Sequence, residues 1–268
     1  MLVRAYNDYL GQEYCAVAPD RLIGLGIMPD KGAGSTVDSA ITEMEYCKKL
    51  GLRGAYLGTY PSGLGYPTPE DDRFWAAAID LDMPVTIHVS IGGIHQPRPQ
   101  FKYPVEPPED ERPGDLLERC TRYARAGGVN AVQMVLAGVF DRFPKLRIFM
   151  AENQIGWIPC FLEQTDNNYE RNCHWAKKAF DLPILSRKPS EYIRDHFLWG
   201  FMYDTLGVRL RHEIGVNNLI WSTDFPHIES DWPNSMKIVE ENFAEVPADE
   251  KYKMVAGNCI TFFRLNDE

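Results

Sequence analysis

No apolar run in the sequence approaches the ~20 residues that a bilayer-crossing helix needs. The first ten residues, MLVRAYNDYL, place polar and charged groups where a signal peptide needs an apolar segment. Both absences point to a cytoplasmic protein with no membrane partner. Spacing of the CxxC kind is also missing: Cys15, Cys47, Cys120, Cys160, Cys173 and Cys259 stand far apart, so they are read as reduced thiols, mostly packed in the core. Positive charge is scarce, with 28 Lys and Arg against 38 Asp and Glu and a net charge of −10, which disfavours nucleic acid or an anionic membrane as a partner. Internal repeats and low-complexity tracts are lacking too, which removes solenoids and disordered linkers from consideration. What remains is a 268-residue chain, 44% hydrophobic and 12% aromatic, able to bury a sizeable core. One domain over residues 1–268 is the simplest account.

The order of apolar runs and amphipathic stretches is βαβαβ. Residues 6–16 read as a short helix, and RLIGLGIMP from Arg21 reads as a strand. Ser35 or Thr36 caps a helix whose Val37, Ile41, Met44 and Cys47 share one face. Strands follow at Leu52–Tyr60 and Met83–Ser90, separated by a helix that Glu70, Asp71 and Asp72 start favourably. Residues 91–114, dense in proline and charge, read as a loop or lid, with Phe101 and Tyr103 offering packing surface. Residues 115–142 carry a helical pattern weakened at Gly127–Gly128. Further strands begin at Leu146, His196 and Asn218, and helices close the chain near Ser235–Ala244 and Ala248–Leu265. Strands alternating with helices imply a parallel sheet.

In a parallel barrel the C-terminal strand ends converge on one mouth, and that is where catalytic groups sit. Several ends here are chemically able: Tyr60, His88, Glu152, Tyr203 or Asp204, and Asp224. Asp224, in NLIWSTDFPHIES, follows a short apolar run; alone it reads more readily as a helix or turn cap. With His88 it forms a pair suited to Zn²⁺, Mn²⁺ or Fe²⁺, since neutral imidazole and carboxylate are ligands these ions accept. Glu152 is either an acid–base group or a structural carboxylate beside an Arg. His227 is placed to orient substrate or support Asp224, and Tyr60 to contact substrate. His95, in the 91–114 loop, has less claim to a role, and His174, His196 and His212 are assigned none.

The segments PDRLIGLGIMP, GLRGAYLGTYP, MPVTIHVS, FPKLRIFMAENQIGW, NLIWSTDFPHIESDWPNS and AGNCITFFRL together resemble the amidohydrolase-related (amidohydrolase 2) family that includes aminocarboxymuconate-semialdehyde decarboxylase. The resemblance runs nearly the whole chain. It implies a (β/α)8 TIM-barrel type with one divalent metal at its mouth, zinc foremost and manganese or iron as alternatives. His88 then matches the fifth-strand metal ligand, and Asp224 the eighth-strand group that is both ligand and proton carrier. The implied activity is that of a metal-dependent hydrolase or non-oxidative decarboxylase acting on a small carboxylated ring or enol compound. Two departures follow. Glu152 stands where the family's decarboxylases carry a catalytic His. Nothing before Arg21 matches the first-strand His-x-His or Asp-x-His motif, so the barrel is expected to lack its first two strands, to leave edges open at the first and last strands, and to form a homo-oligomer. The non-enzyme alternative is an inactive barrel remnant that binds ligand or partner without chemistry.

Overall fold

The computed structural model describes residues 2–30, 35–91 and 100–265. The chain begins with α1 (Leu2–Tyr9), then alternates β1 (Gly26–Ile27), α2 (Val37–Lys49), β2 (Ala55–Leu57), α3 (Asp72–Asp80) and β3 (Val85–His88). Three helices, α4 (Leu116–Cys120), α5 (Ala126–Leu136) and α6 (Val139–Arg142), lead to β4 (Ile148–Ala151). The long α7 (Ile158–Phe180) and α8 (Pro189–His196) precede β5 (Phe197–Phe201), and α9 (Thr205–Arg209) and α10 (Arg211–Ile214) precede β6 (Leu219–Trp221). The chain closes with α11 (Ser235–Asn242), α12 (Ala248–Tyr252) and α13 (Asn258–Phe263). The six strands form one sheet in chain order, and every neighbouring pair is parallel.

Strand parity divides the core in two. Ala55, Leu57, Val85, Ile87, Ile148, Met150, Phe197, Trp199 and Leu219 face the helices in the larger cluster, with Met44 and Cys47 of α2 and Phe74 and Trp75 of α3. The alternate residues Phe149, Leu198 and Ile220 face the other side of the sheet, where Phe262 and Phe263 of α13 pack with them. Burial pushes the Cys47 and Cys120 thiols up to about 12; all six cysteines are free, with Cys47, Cys120 and Cys173 buried, Cys15 and Cys259 half-buried and Cys160 exposed.

The glycines at 127 and 128 do not weaken a helix. The break falls earlier, at residues 121–125, and both glycines lie in the first turn of α5. They mark close approach: a Cβ at Gly127 would sit 2.2 Å from Asn153 Oδ1, and one at Gly128 2.7 Å from the Trp157 ring. The 91–114 segment is described from residue 100, residues 92–99 with His95 lying outside the described residues. From there it is packed rather than free: Tyr103 is buried, its ring stacked 4.0 Å from Phe180, and its hydroxyl accepts from Leu116 N and Leu117 N.

Among the described residues β1 pairs with β2 alone, so the edge expected at the first strand is open, and a side chain covers part of it. Gly26 N and Met28 N donate to β2, which turns both backbone groups of Ile27 outward. The Asn7 side chain takes both, accepting from Ile27 N at 2.9 Å and donating to Ile27 O at 3.0 Å. Asn7 is fully buried and also donates to Glu43, which Arg4 grips through two nitrogens. At the opposite edge Asn258 Nδ2 donates to Leu219 O and Val216 O. An amide on each side thus takes up backbone groups that the sheet edge leaves unpaired.

Candidate active site

The site is built where β3, β4 and β6 end. His88 is the last residue of β3 and, two positions after the buried Thr86, shares its face of the sheet. Its register partner is Ala151, and Glu152 follows directly. His88 Nε2 lies 2.8 Å from Glu152 Oε1. Asp224 comes three residues after β6 ends, and His227 Nδ1 lies 3.0 Å from its Oδ2 while His227 N donates to its carbonyl. The carboxyls of Glu152 and Asp224 lie against each other. The result is a continuous row, His88–Glu152–Asp224–His227, exposed at both imidazoles and largely covered at the two carboxyls.

Glu152 and Asp224 both adopt left-handed backbone, each with φ +54°, and Val89 beside His88 does the same at +58°. This region is unfavourable for residues with a Cβ, most of all for branched valine, and costs about 1–3 kcal/mol per residue. Three strand ends bearing the same outlier are held by their surroundings. Val89 N donates to Ala151 O and Asn153 N to Gly200 O, tying β3 to β4 and β4 to β5. Gln154 Oε1 accepts from Met202 N, and Asp204 accepts from Ile155 N, Gly156 N and Gly207 N at 2.7 to 2.8 Å. Asp204 is therefore spent on fixing the two loops beside Glu152 rather than facing substrate; its sequence signal is that of a helix N-cap. Gly200 lets β5 approach, since a Cβ there would lie 3.1 Å from Glu152 N.

Burial is the main influence on the Glu152 carboxyl and pushes its pKa above the ordinary glutamate value. The neighbouring Asp224 pushes the same way, and His88 opposes both. Two carboxyls in contact resist double ionisation, so this pair is suited to hold a proton between them or to face a cation.

The structure brings His88, Glu152, Asp224 and His227 together, and it does not bring Tyr60. β2 ends at Leu57, so the direction of Tyr60 is set by the following turn and not by strand parity. Its ring is wholly buried and its hydroxyl donates to Gln133 Oε1 at 3.2 Å. Asn130 Nδ2 donates to the same oxygen, and Asn130 Oδ1 accepts from Ile91 N. This amide network, which the sequence reading missed, pins the loops after β2 and β3. His196 is also buried, stacked 4.2 Å from Phe140 with Nδ1 bonded to Leu146 O, as befits a residue assigned no role.

As metal donors, His88, Asp224 and Glu152 have the right chemistry: one imidazole nitrogen and carboxylate oxygens. Among the described residues, no group of three or more His, Cys, Asp or Glu is positioned to hold a metal ion. The donor types are ones a divalent ion accepts, while the described residues alone do not assemble a full ligand set.

The amidohydrolase family profile matches residues 1–265. Gamma-resorcylate decarboxylase of Rhizobium sp. (strain MTP-10005) is 28% identical over 264 residues, covering 91% of this chain and 73% of that protein. The enzyme of the same name from Rhodococcus jostii (strain RHA1) is 27% identical over 286 residues, covering 99% of this chain and 77% of the relative. Among solved structures, 5-carboxyvanillate decarboxylase from Sphingomonas paucimobilis superposes with a TM-score of 0.71 at 24% identity, covering 98% of this chain and 72% of that one. A dihydroxybenzoic acid decarboxylase from Polaromonas sp. JS666, with manganese and 2-nitroresorcinol bound, superposes with a TM-score of 0.70 at 22% identity over 99% of this chain and 76% of that one. These structural likenesses agree with the expected TIM-barrel type, here with six parallel strands in a sheet that does not close. The chain belongs to the amidohydrolase family.

Proposed function

We propose that this protein is a metal-dependent, non-oxidative decarboxylase of carboxylated phenols, the activity carried by the names of its gamma-resorcylate relatives. The observation that carries the reading is the row of His88, Glu152, Asp224 and His227, with its two carboxyls in contact at the ends of a parallel sheet. His88 and Asp224 are the residues that would hold the metal. Manganese is preferred over zinc because the Polaromonas structure holds it. A divalent ion held there would supply positive charge for the anionic oxygens of the substrate.

The remaining chemistry belongs to the chain's own residues. Asp224 delivers a proton to the ring carbon that bears the carboxylate. The bond from that carbon to the carboxylate then breaks, its electron pair returns to the ring, and CO2 leaves, so one proton replaces one CO2. Glu152, which burial keeps protonated more readily than an ordinary glutamate, resupplies Asp224. His227 holds Asp224 in orientation. The exposed rings of Phe225 and Trp232, 5.1 Å apart beside Asp224, offer an apolar rim to an aromatic substrate.

The test is to incubate the Mn²⁺-loaded protein with 2,6-dihydroxybenzoate and 5-carboxyvanillate and to measure CO2 and the decarboxylated phenol. Stoichiometric CO2 and phenol support the reading; release of neither from any carboxylated phenol refutes it. The open metal-donor set favours a second reading, ligand binding without turnover. In that case 2-nitroresorcinol would bind while no carboxylated phenol is consumed.

A further inference from the structure

The opposite end of the sheet carries a feature that decarboxylation does not use. Arg147, the residue before β4, has its Nε sealed from solvent without a hydrogen-bond partner. Its guanidinium lines a cavity of about 330 Å³ at the N-terminal ends of β3 and β4, together with Lys145, Arg264, Asp82 and Thr261. Asp82 is paired with Arg264, while Lys145 and Arg147 form no ion pair among the described residues. Positive charge continues beyond the cavity wall. Burial depresses the pKa of Lys48 first, and the neighbouring Arg53 and Arg264 depress it further. Lys48 donates to Asp82 O, which ties it to the same corner.

Such a concentration of cations is unexpected in a chain of net charge −10. Like charges brought together and one buried donor left unmade both cost stability. The N-terminal face of a barrel ordinarily serves stability rather than catalysis, so this arrangement has no role in the reaction at the other end.

We propose that this basic cavity binds a small molecule carrying two or more anionic groups, phosphates or carboxylates, with Arg147 as its central donor. With Nε covered, the terminal nitrogens of a guanidinium remain to offer N–H donors to such an anion, and Lys145 and Arg264 supply the flanking charge. The cavity volume suits a small ligand. Because Arg147 beside β4 and Thr261 of α13 both line the cavity, occupancy would also tether the closing helix.

The experiment is calorimetric titration of the 268-residue chain with inorganic pyrophosphate and, separately, with citrate, in low-salt buffer free of other polyvalent anions. Saturable binding of either at one site per chain is expected; pyrophosphate alone would identify a phosphate site, and citrate alone a carboxylate site. Arg147→Gln is expected to weaken binding at least about tenfold, the loss of a charged hydrogen-bonding partner. Lys145→Gln, at an exposed position, gives a smaller loss and keeps the test open if the Arg147 variant folds poorly. Lys237→Gln on α11, paired with Glu241 along its own helix, serves as the control and should bind like the parent. Absence of saturable binding would overturn the proposal. So would binding that Arg147→Gln and Lys145→Gln leave unchanged, or that Lys237→Gln weakens equally.

Discussion

Replacing Asn7 removes the side chain that stands in for a strand. Its amide makes three hydrogen bonds, two to the backbone of Ile27 and one to Glu43. Glu43 keeps Arg4 as a partner, so the loss falls mainly on the N–H and C=O of Ile27. Each backbone group left unpaired in a covered position costs about 1–3 kcal/mol, and Ile27 is only half-buried, so water recovers part of it. Asn7→Ala should therefore destabilise by roughly 2–4 kcal/mol, a large share of the ~5–15 kcal/mol typical of a folded domain. Asn7→Asp gives a sharper contrast: it preserves size and the acceptor for Ile27 N, but removes both donated bonds and sets a second carboxylate against Glu43. It should destabilise at least as much as alanine does. Urea unfolding measures the total, and hydrogen exchange at the Ile27 amide reads the local effect. A loss below ~0.5 kcal/mol with unchanged Ile27 protection would refute the idea that Asn7 closes the edge, as would a neutral Asn7→Asp.

Three further outcomes follow from the packing. Gly200→Ala would press a methyl to 2.9 Å from the Phe149 ring and 3.1 Å from Glu152 N, so turnover should fall more steeply than thermal stability; equal, small losses would contradict this. Asp204→Ala leaves three backbone N–H groups unpaired beside Glu152 and should cost about 3 kcal/mol, measured by denaturant unfolding. Burial lowers the pKa of His196 in the folded chain, so the unfolded chain binds that proton more readily. The stability His196 contributes is complete above the unfolded value near ~6.5 and is lost as pH falls through its lower folded value, a slope that denaturant titrations across that range should show and that His196→Phe should reduce.

Much of the sheet could be read from sequence because its strands are apolar runs with abrupt polar ends. MPVTIHVS placed β3 and His88, and NLIWSTD placed β6 and Asp224, since two-sided burial demands such runs and water-facing ends stop them. The error over Tyr60 came from extending the second strand three residues too far, after which alternation no longer predicts where a side chain points. Gly127 and Gly128 were legible as unusual, but a helix weakened by glycine and a helix approached closely look alike in sequence; only the position of Asn153 and Trp157 separates them. The edge amides Asn7 and Asn258 were illegible for a related reason. Their partners lie 20 and 39 residues away, and an asparagine in a short helix carries no mark of a distant strand edge. The positive φ at Glu152 and Asp224 likewise belongs to the hydrogen bonds of neighbouring loops, not to the residues themselves.

The central claim is that Asp224, backed by Glu152, carries the proton that replaces CO2. Its most direct test is the rate of phenol formation from a carboxylated phenol by Mn²⁺-loaded wild-type protein and by Asp224→Asn, run in D2O, with metal content and circular dichroism matched. The account predicts deuterium on the ring carbon that lost its carboxylate in the wild-type product. It also predicts a rate in the variant lower by a factor on the order of 10²–10⁴ or more, the worth of a positioned proton donor. An Asp224→Asn protein that retains its metal and turns over at the wild-type rate would contradict it.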